Sequence, residues 1–280
     1  MNVLRTAIGV PNVGEYGDPR VVAELARTAE EAGWDGLFLW DHILYWQPSW
    51  PLVDPWIALS AAAMSTHRIR LGVLMTAVAR RRPWILARQT TSLDLLTRGR
   101  LIMGAALGSM SKEYTAFGED ADLRVRAKLL DEGLEVLAGL WLGEPLRFAG
   151  QHLQVNDAVM RPVPMQRPRI PIWVGGGWPH RAPFRRAARW DGMMPTHTDY
   201  GKGETMPPSE LAKITEFVAE ERGSLEHFEI AVEGQTAPSH AAEVVRAYAD
   251  VGLTWWVEAI GWWRGPLSTM RARIEAGPPT

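Results

Sequence analysis

The sequence predicts an α/β protein folded as a single (β/α)8 TIM barrel over residues 1–280, with inserted segments. Three observations carry the prediction. Short apolar runs alternate with longer stretches of helical periodicity, the pattern of buried parallel strands joined by right-handed crossover helices. Eight such units can be read along the chain. The length of 280 residues also suits a barrel, which typically needs about 250.

The elements follow in order. Val3 to Gly9 reads as the first strand, and Asp18-Pro19 opens a helix, because Asp can cap and Pro fits the first turn. Val22, Leu25, Ala26, Ala29 and Ala32 give that helix its apolar stripe, and Gly33 ends it. Asp35 to Trp40 is the second strand; Asp54-Pro55 repeats the opening signal for a helix that ends near Thr66. Ile69 to Met75 and Leu101 to Leu107 are the third and fourth strands, with a helix from Pro83 to about Thr97 between them. A long helix runs from about Leu123 to Leu142, and weak alternation from Phe148 to Met160 reads as a hairpin-like excursion. Proline-rich Arg161 to Pro171 leads to the fifth strand, Ile172 to Gly175, and to a helix from about His180 to Trp190. The remaining strands are Asp191 to Pro195, Phe228 to Glu233 and Thr254 to Ile260; their helices are Pro207 to Arg222, Ala241 to Val251 and Pro266 to Ala276.

Composition removes several function classes. There are no cysteines, which excludes disulfides, thiolate metal sites and a cysteine nucleophile. The net charge of −2 argues against a nucleic-acid binder. The one basic cluster, Arg80-Arg81-Arg82, reads as a solvated loop, with an anionic ligand or a partner subunit as the alternatives. No apolar run approaches the roughly 20 residues of a membrane span, and the N-terminus lacks the apolar core of a secretory signal, so a cytoplasmic protein is expected. The histidines lack metal-ligand spacing, and neither a Gly-x-Ser-x-Gly elbow nor a Walker loop is present.

In such barrels the chemistry sits at the C-terminal ends of the strands. That rule nominates Asp41, His42 and Trp46 after the second strand, Thr76 and Arg80 after the third, and Ser109 and Glu113 after the fourth. Gly175, Gly176 and Gly177 follow the fifth, Thr196 and His197 the sixth, Glu233 the seventh, and Glu258, Trp262 and Arg264 the eighth. The glycine triplet presents bare backbone amides ahead of a helix, a place for a phosphate; a tight strand-to-helix turn is the plainer reading. His42 can exchange a proton or hydrogen bond with a bound ring, or simply cap local backbone. The 14 tryptophans, several of them in loops, suggest an apolar or aromatic substrate.

Several segments together resemble the luciferase-like monooxygenase superfamily. They are Glu31-Ala-Gly-Trp-Asp-Gly-Leu-Phe-Leu-Trp-Asp-His42, Arg70-Leu-Gly-Val-Leu-Met-Thr76 and Arg82-Pro-Trp-Ile-Leu-Ala-Arg-Gln89. Further along come Ser92-Leu-Asp-Leu-Leu-Thr-Arg-Gly-Arg-Leu101, Glu113-Tyr-Thr-Ala-Phe-Gly118, Pro171-Ile-Trp-Val-Gly-Gly-Gly177 and Arg186-Ala-Ala-Arg-Trp-Asp-Gly192. The resemblance implies a bacterial-luciferase-like barrel, commonly dimeric, that works with reduced FMN and oxygen or with the deazaflavin coenzyme F-420. It places Asp41 and His42 beside the ring of the coenzyme, and Val73, Leu74 and Thr76 on the ring's other side. A non-proline cis peptide is expected in the Val73 region. Gly176 and Gly177 would hold the coenzyme phosphate, Glu113 would be a site acid, and Trp46 would shield the ring from water. Asp41-His42 followed by Trp46 resembles the deazaflavin branch, so coenzyme F-420 is favoured and FMN is the alternative. The basic residues that hold a sugar phosphate in the sugar-phosphate dehydrogenases have no clear counterpart here. Two competing readings are a flavin-binding relative without turnover and an unrelated phosphate-binding barrel. A Schiff-base aldolase is disfavoured, because Lys112, Lys128, Lys202 and Lys213 all fall outside the predicted strands.

Overall fold

The computed structural model describes residues 4–199, 204–237 and 239–279. The expected start of the first strand at Val3 lies outside the described residues. The first half of the chain forms β1 (Arg5–Val10), α1 (Pro19–Glu31), β2 (Gly36–Leu39), α2 (Pro55–Met64), β3 (Arg70–Ala77), α3 (Pro83–Leu96), β4 (Leu101–Ala106), α4 (Lys112–Thr115) and α5 (Leu123–Trp141). The second half forms β5 (Leu146–Ala149), β6 (Gln154–Ala158), β7 (Ile172–Trp178), α6 (Ala182–Ala187), β8 (Gly192–His197), α7 (Pro208–Arg222), β9 (Glu229–Gly234), α8 (Ala241–Ala249), β10 (Trp255–Ala259) and α9 (Leu267–Glu275).

Eight of these strands close a parallel barrel in the ring order β1-β10-β9-β8-β7-β4-β3-β2. β5 and β6 stand apart as an antiparallel hairpin, the excursion that the weak alternation predicts. The Asp-Pro starts behave as expected. Asp18 accepts the Arg20 amide at 2.8 Å, and Asp54 accepts those of Trp56 and Ile57 at 2.9 and 3.1 Å. Each cap satisfies backbone donors that a helix N-terminus leaves open. Among the described residues no helix is long and apolar enough to cross a membrane.

Strand alternation splits the core in two. Outward side chains such as Ile8, Leu37, Leu71 and Val174 pack under the helices. Inward ones, including Ala7, Phe38, Leu74, Ile102, Trp173, Met194, Ala231, Trp255 and Val257, fill the barrel. Phe38, Trp173 and Trp255 lie 5.5–5.8 Å apart in tilted and edge-on contacts and plug its lower part.

Two expectations need correction. Gly175, Gly176 and Gly177 do not form a turn: β7 runs on to Trp178, and all three pair in register with Met194, Pro195 and Thr196 of β8. Glycine is needed at 176 for packing, because a Cβ there would overlap the Pro183 ring of α6. Nor is the arginine cluster a solvated loop, since the Arg80 and Arg81 side chains are buried in ion pairs within the chain. The non-proline cis peptide lies between Leu74 and Met75, one residue beyond Val73, and the β3–β4 register shifts between Val73 and Thr76.

Candidate active site

The loop after β2 carries Asp41 and His42 to the barrel mouth. Asp41 is almost wholly buried, and its carboxylate accepts the Ala77 amide at 3.0 Å. Arg81 grips the same carboxylate with Nε at 3.2 Å and Nη2 at 2.5 Å. Arg80 Nη2 lies 3.3 Å from Asp41 Oδ1 and donates to the Asp41 carbonyl at 2.7 Å. The other Arg80 nitrogen, Nη1, lies 2.9 Å from Oε2 of Glu113, which the short α4 presents from the far side of the β4 loop.

Glu113 completes the chain of charges. Its Oε1 accepts the amides of Ile43 at 2.7 Å and Leu44 at 3.4 Å and faces His42 Nδ1 at 3.2 Å. Burial by itself pushes the Glu113 carboxyl up, but the His42 hydrogen bond, the Arg80 guanidinium and the Ile43 amide outweigh it and hold it below the ordinary value. An ionised carboxylate only accepts, so its contact assigns the hydrogen to Nδ1 of His42 and leaves Nε2 of the neutral ring as an acceptor. That is the form needed to take a proton from a hydroxyl. Two guanidinium groups facing two carboxylates let the set be buried without net charge.

Asn12, fully buried just after β1, fixes this loop from below. Its Nδ2 donates to the carbonyls of His42 and Val53, each at 2.8 Å, and its Oδ1 accepts the His42 amide at 3.2 Å. Sequence reasoning passed over Asn12; a lone Asn after an apolar strand was the only signal for it. Trp40 was also passed over as a wall residue. It stacks on Trp263 at 5.4 Å and meets the edges of His42 and Trp262 at 5.9 and 6.0 Å. Tyr45 and Trp50 continue this wall against Trp262, at 5.6 and 4.9 Å.

The other nominated residues fall in different places. Leu74 points into the barrel, but Val73 belongs to the outer core, because alternation turns its side chain toward the helices. Thr76 is wholly buried, and among the described residues its hydroxyl oxygen has no hydrogen-bond partner. Ser109 is exposed on the β4–α4 loop, and Trp46 is 63% exposed beyond His42. Glu258 is fully buried and faces away from the mouth. It is saturated by the Thr236 amide and hydroxyl, Trp256 Nε1 and Arg264, which makes it a brace for the β10 loop.

One feature of the sheet fits a flat coenzyme with a phosphate. The β4–β7 ladder ends at Ala105 and Val174, while β7 continues beside β8 to Trp178. Among the described residues the glycine run thus has an edge with no strand paired against it. Bare amides on such an edge suit an anion. The profile of the family described as luciferase-like monooxygenase matches residues 3–276. This chain belongs to that family. Two luciferase-like relatives, the F420-dependent glucose-6-phosphate dehydrogenases of Gordonia bronchialis and Tsukamurella paurometabola, are 29% and 30% identical over 258 residues. Each alignment covers 88% of this chain and 74% of the relative. Among solved structures, an F420-dependent secondary alcohol dehydrogenase in complex with an F420-acetone adduct superposes with a TM-score of 0.81. It shares 16% identity, covers 98% of this chain and 97% of its own, and shows the luciferase-like fold.

Proposed function

We propose that this luciferase-like protein is an oxidoreductase that uses the deazaflavin coenzyme F-420 to oxidise or reduce a small organic substrate at the barrel mouth. The observation that carries the reading is the His42–Glu113 pair, an imidazole backed by a carboxyl that the His42 hydrogen bond, Arg80 and the Ile43 amide hold below its ordinary value. The family membership and the coenzyme named for the two curated relatives support it. The coenzyme would rest on Leu74, with the buried Thr76 beneath it and its phosphate at the edge of Gly175–Gly177. When bound, it supplies the acceptor or donor of a hydride.

The chain's own residues do the rest. His42 takes the proton from a substrate hydroxyl as its carbon is oxidised, or returns it in reduction. Glu113 stabilises the imidazolium formed in the first direction. Asp41 acts by holding Arg80 and Arg81 in place. Trp46 and the Trp40–Trp263 stack exclude water from the reacting centre. The aromatic wall suits a substrate with an apolar or aromatic body. Exposed Ile57 and Met64 on α2 and Trp84, Ile85 and Leu96 on α3 form an apolar face that supports a homodimer.

Absorbance titration with coenzyme F-420 and with FMN tests the proposal. Binding of the deazaflavin is expected, tight FMN binding alone would move the reading to the flavin branch, and binding of neither would end it. His42→Ala is expected to lower turnover about 10²–10⁴-fold with coenzyme affinity retained. A carrier without turnover would show no change.

A further inference from the structure

Across the barrel from β3, β9 carries a carboxyl that the proposed mechanism does not use. Ala231 and Val257 both point into the barrel, and Glu233 lies two residues beyond Ala231 and in register with Val257, so it faces inward too. Ring order puts β9 diametrically opposite β3. Glu233 reaches over β10 to β1, where glycine makes room: a Cβ on Gly9 would sit 2.5 Å from Glu233 Oε1 and 3.0 Å from a Val257 methyl. There the Trp40 side chain of the neighbouring β2 loop draws its carboxyl downward. The residue is half-buried near the C-terminal end of its strand.

Gly9 on β1, Val257 on β10 and Trp40 lie beside Glu233, and none of them carries a charge. His42, hydrogen-bonded to Glu113 next to Arg80, meets the Trp40 ring edge-on. On β10, Glu258 is turned away toward Thr236 and Arg264. Burial without a cation pushes the Glu233 carboxyl up to about 7, against a slight opposing pull from Trp40.

We propose that Glu233 is a specificity-determining acid of the mouth, donating a hydrogen bond to the carbonyl or hydroxyl oxygen of a neutral substrate held against the Trp40 wall. The proposal rests on reading the mouth as the reaction site. It assigns the β9–β10–β1 half of the rim to the substrate and leaves the β3–β4–β7 half to the coenzyme. A neutral acid donates to a neutral oxygen and, once ionised, repels anions, so the half-site favours ketones and alcohols over carboxylates.

The test compares acetophenone with α-methylstyrene, which replaces the carbonyl oxygen by a methylene of similar shape. Binding of each is measured calorimetrically to the protein loaded with whichever of the deazaflavin and FMN it takes up, and to the protein alone. The expected result is acetophenone affinity about tenfold weaker at pH 8 than at pH 6, since only the protonated carboxyl donates, with α-methylstyrene unchanged. Glu233→Gln keeps a donor at every pH and is expected to bind acetophenone with no pH dependence. Equal behaviour of the two probes in the natural protein, binding of neither, or an unchanged pH profile in Glu233→Gln would overturn the proposal. Infrared difference spectra between pH 6 and pH 8 read the Glu233 carboxyl directly and need no coenzyme. Loss of its protonated carbonyl band in Glu233→Gln is expected, and absence of that band in the natural protein would overturn the assignment. Failure of both coenzymes to bind, with the acetophenone and infrared results intact, would remove the redox reading and leave this one standing.

Discussion

The two sides of the barrel mouth push Glu113 and Glu233 in opposite directions. On the β2–β3–β4 side, Asp41 and Glu113 are surrounded by Arg80, Arg81, His42 and backbone amides, and Glu113 is held ionised. On the β9–β10–β1 side, Glu233 has indole and aliphatic neighbours and is pushed up to about 7. Glu113 and Glu233 are both acids on the C-terminal side of the barrel, and their surroundings set their chemistry. Proton transfer near neutral pH profits from one group held charged and another poised between its charged and neutral forms.

The charged side offers the most severe way to break this contrast. Asp41→Ala leaves Arg80 and Arg81 buried with much of their compensation gone, and a loss of about 3–5 kcal/mol in unfolding free energy is expected in denaturant titration. The neutral side predicts the next effect, in the opposite sense. The folded protein holds the Glu233 proton up to about pH 7, whereas the unfolded chain releases it near the ordinary 4.5. Stability is therefore drained as pH rises between those values, by up to about 3 kcal/mol. Glu233→Gln abolishes that drain, so its stability relative to the natural protein should rise from pH 4.5 to pH 7 and then level off. Glu113 contributes in the other direction. Its lowered value adds stability above the ordinary carboxylate range, which is lost as pH falls through the lowered value, and Glu113→Gln should flatten that acid limb.

Between the two sides, Gly176→Ala forces a methyl group into Pro183 and is expected to cost about 1–3 kcal/mol, with weakened coenzyme binding in the same titration. The smallest effect sharpens the comparison. Trp40→Phe removes the indole that draws the Glu233 carboxyl down and should raise the Glu233 titration midpoint further in the infrared spectra.

The barrel was legible in the sequence because its signals are local. Asp18-Pro19 and Asp54-Pro55 announced helices whose caps act within three residues, and the apolar runs marked the strands. Glycine reads as a turn signal, so β7 was cut short at Gly175; its extension depends on pairing with β8. Asp41, His42 and Glu113 were nominated by position and family resemblance, and the structure brings them together at the mouth. Trp46 and Ser109 were nominated in the same way and lie more exposed.

By itself, then, the sequence determined the order of strands and helices and the family. Each of these follows from periodicity or from motifs contiguous along the chain. Only the tertiary structure decided what surrounds each carboxyl. Arg80 and Arg81 reach Asp41 from 39 and 40 residues away, Glu113 reaches His42 from 71, and Glu233 meets Gly9 and Trp40 only because the sheet closes on itself. Charge and solvation act through space over a few ångströms, so they are set by neighbours that chain order does not reveal.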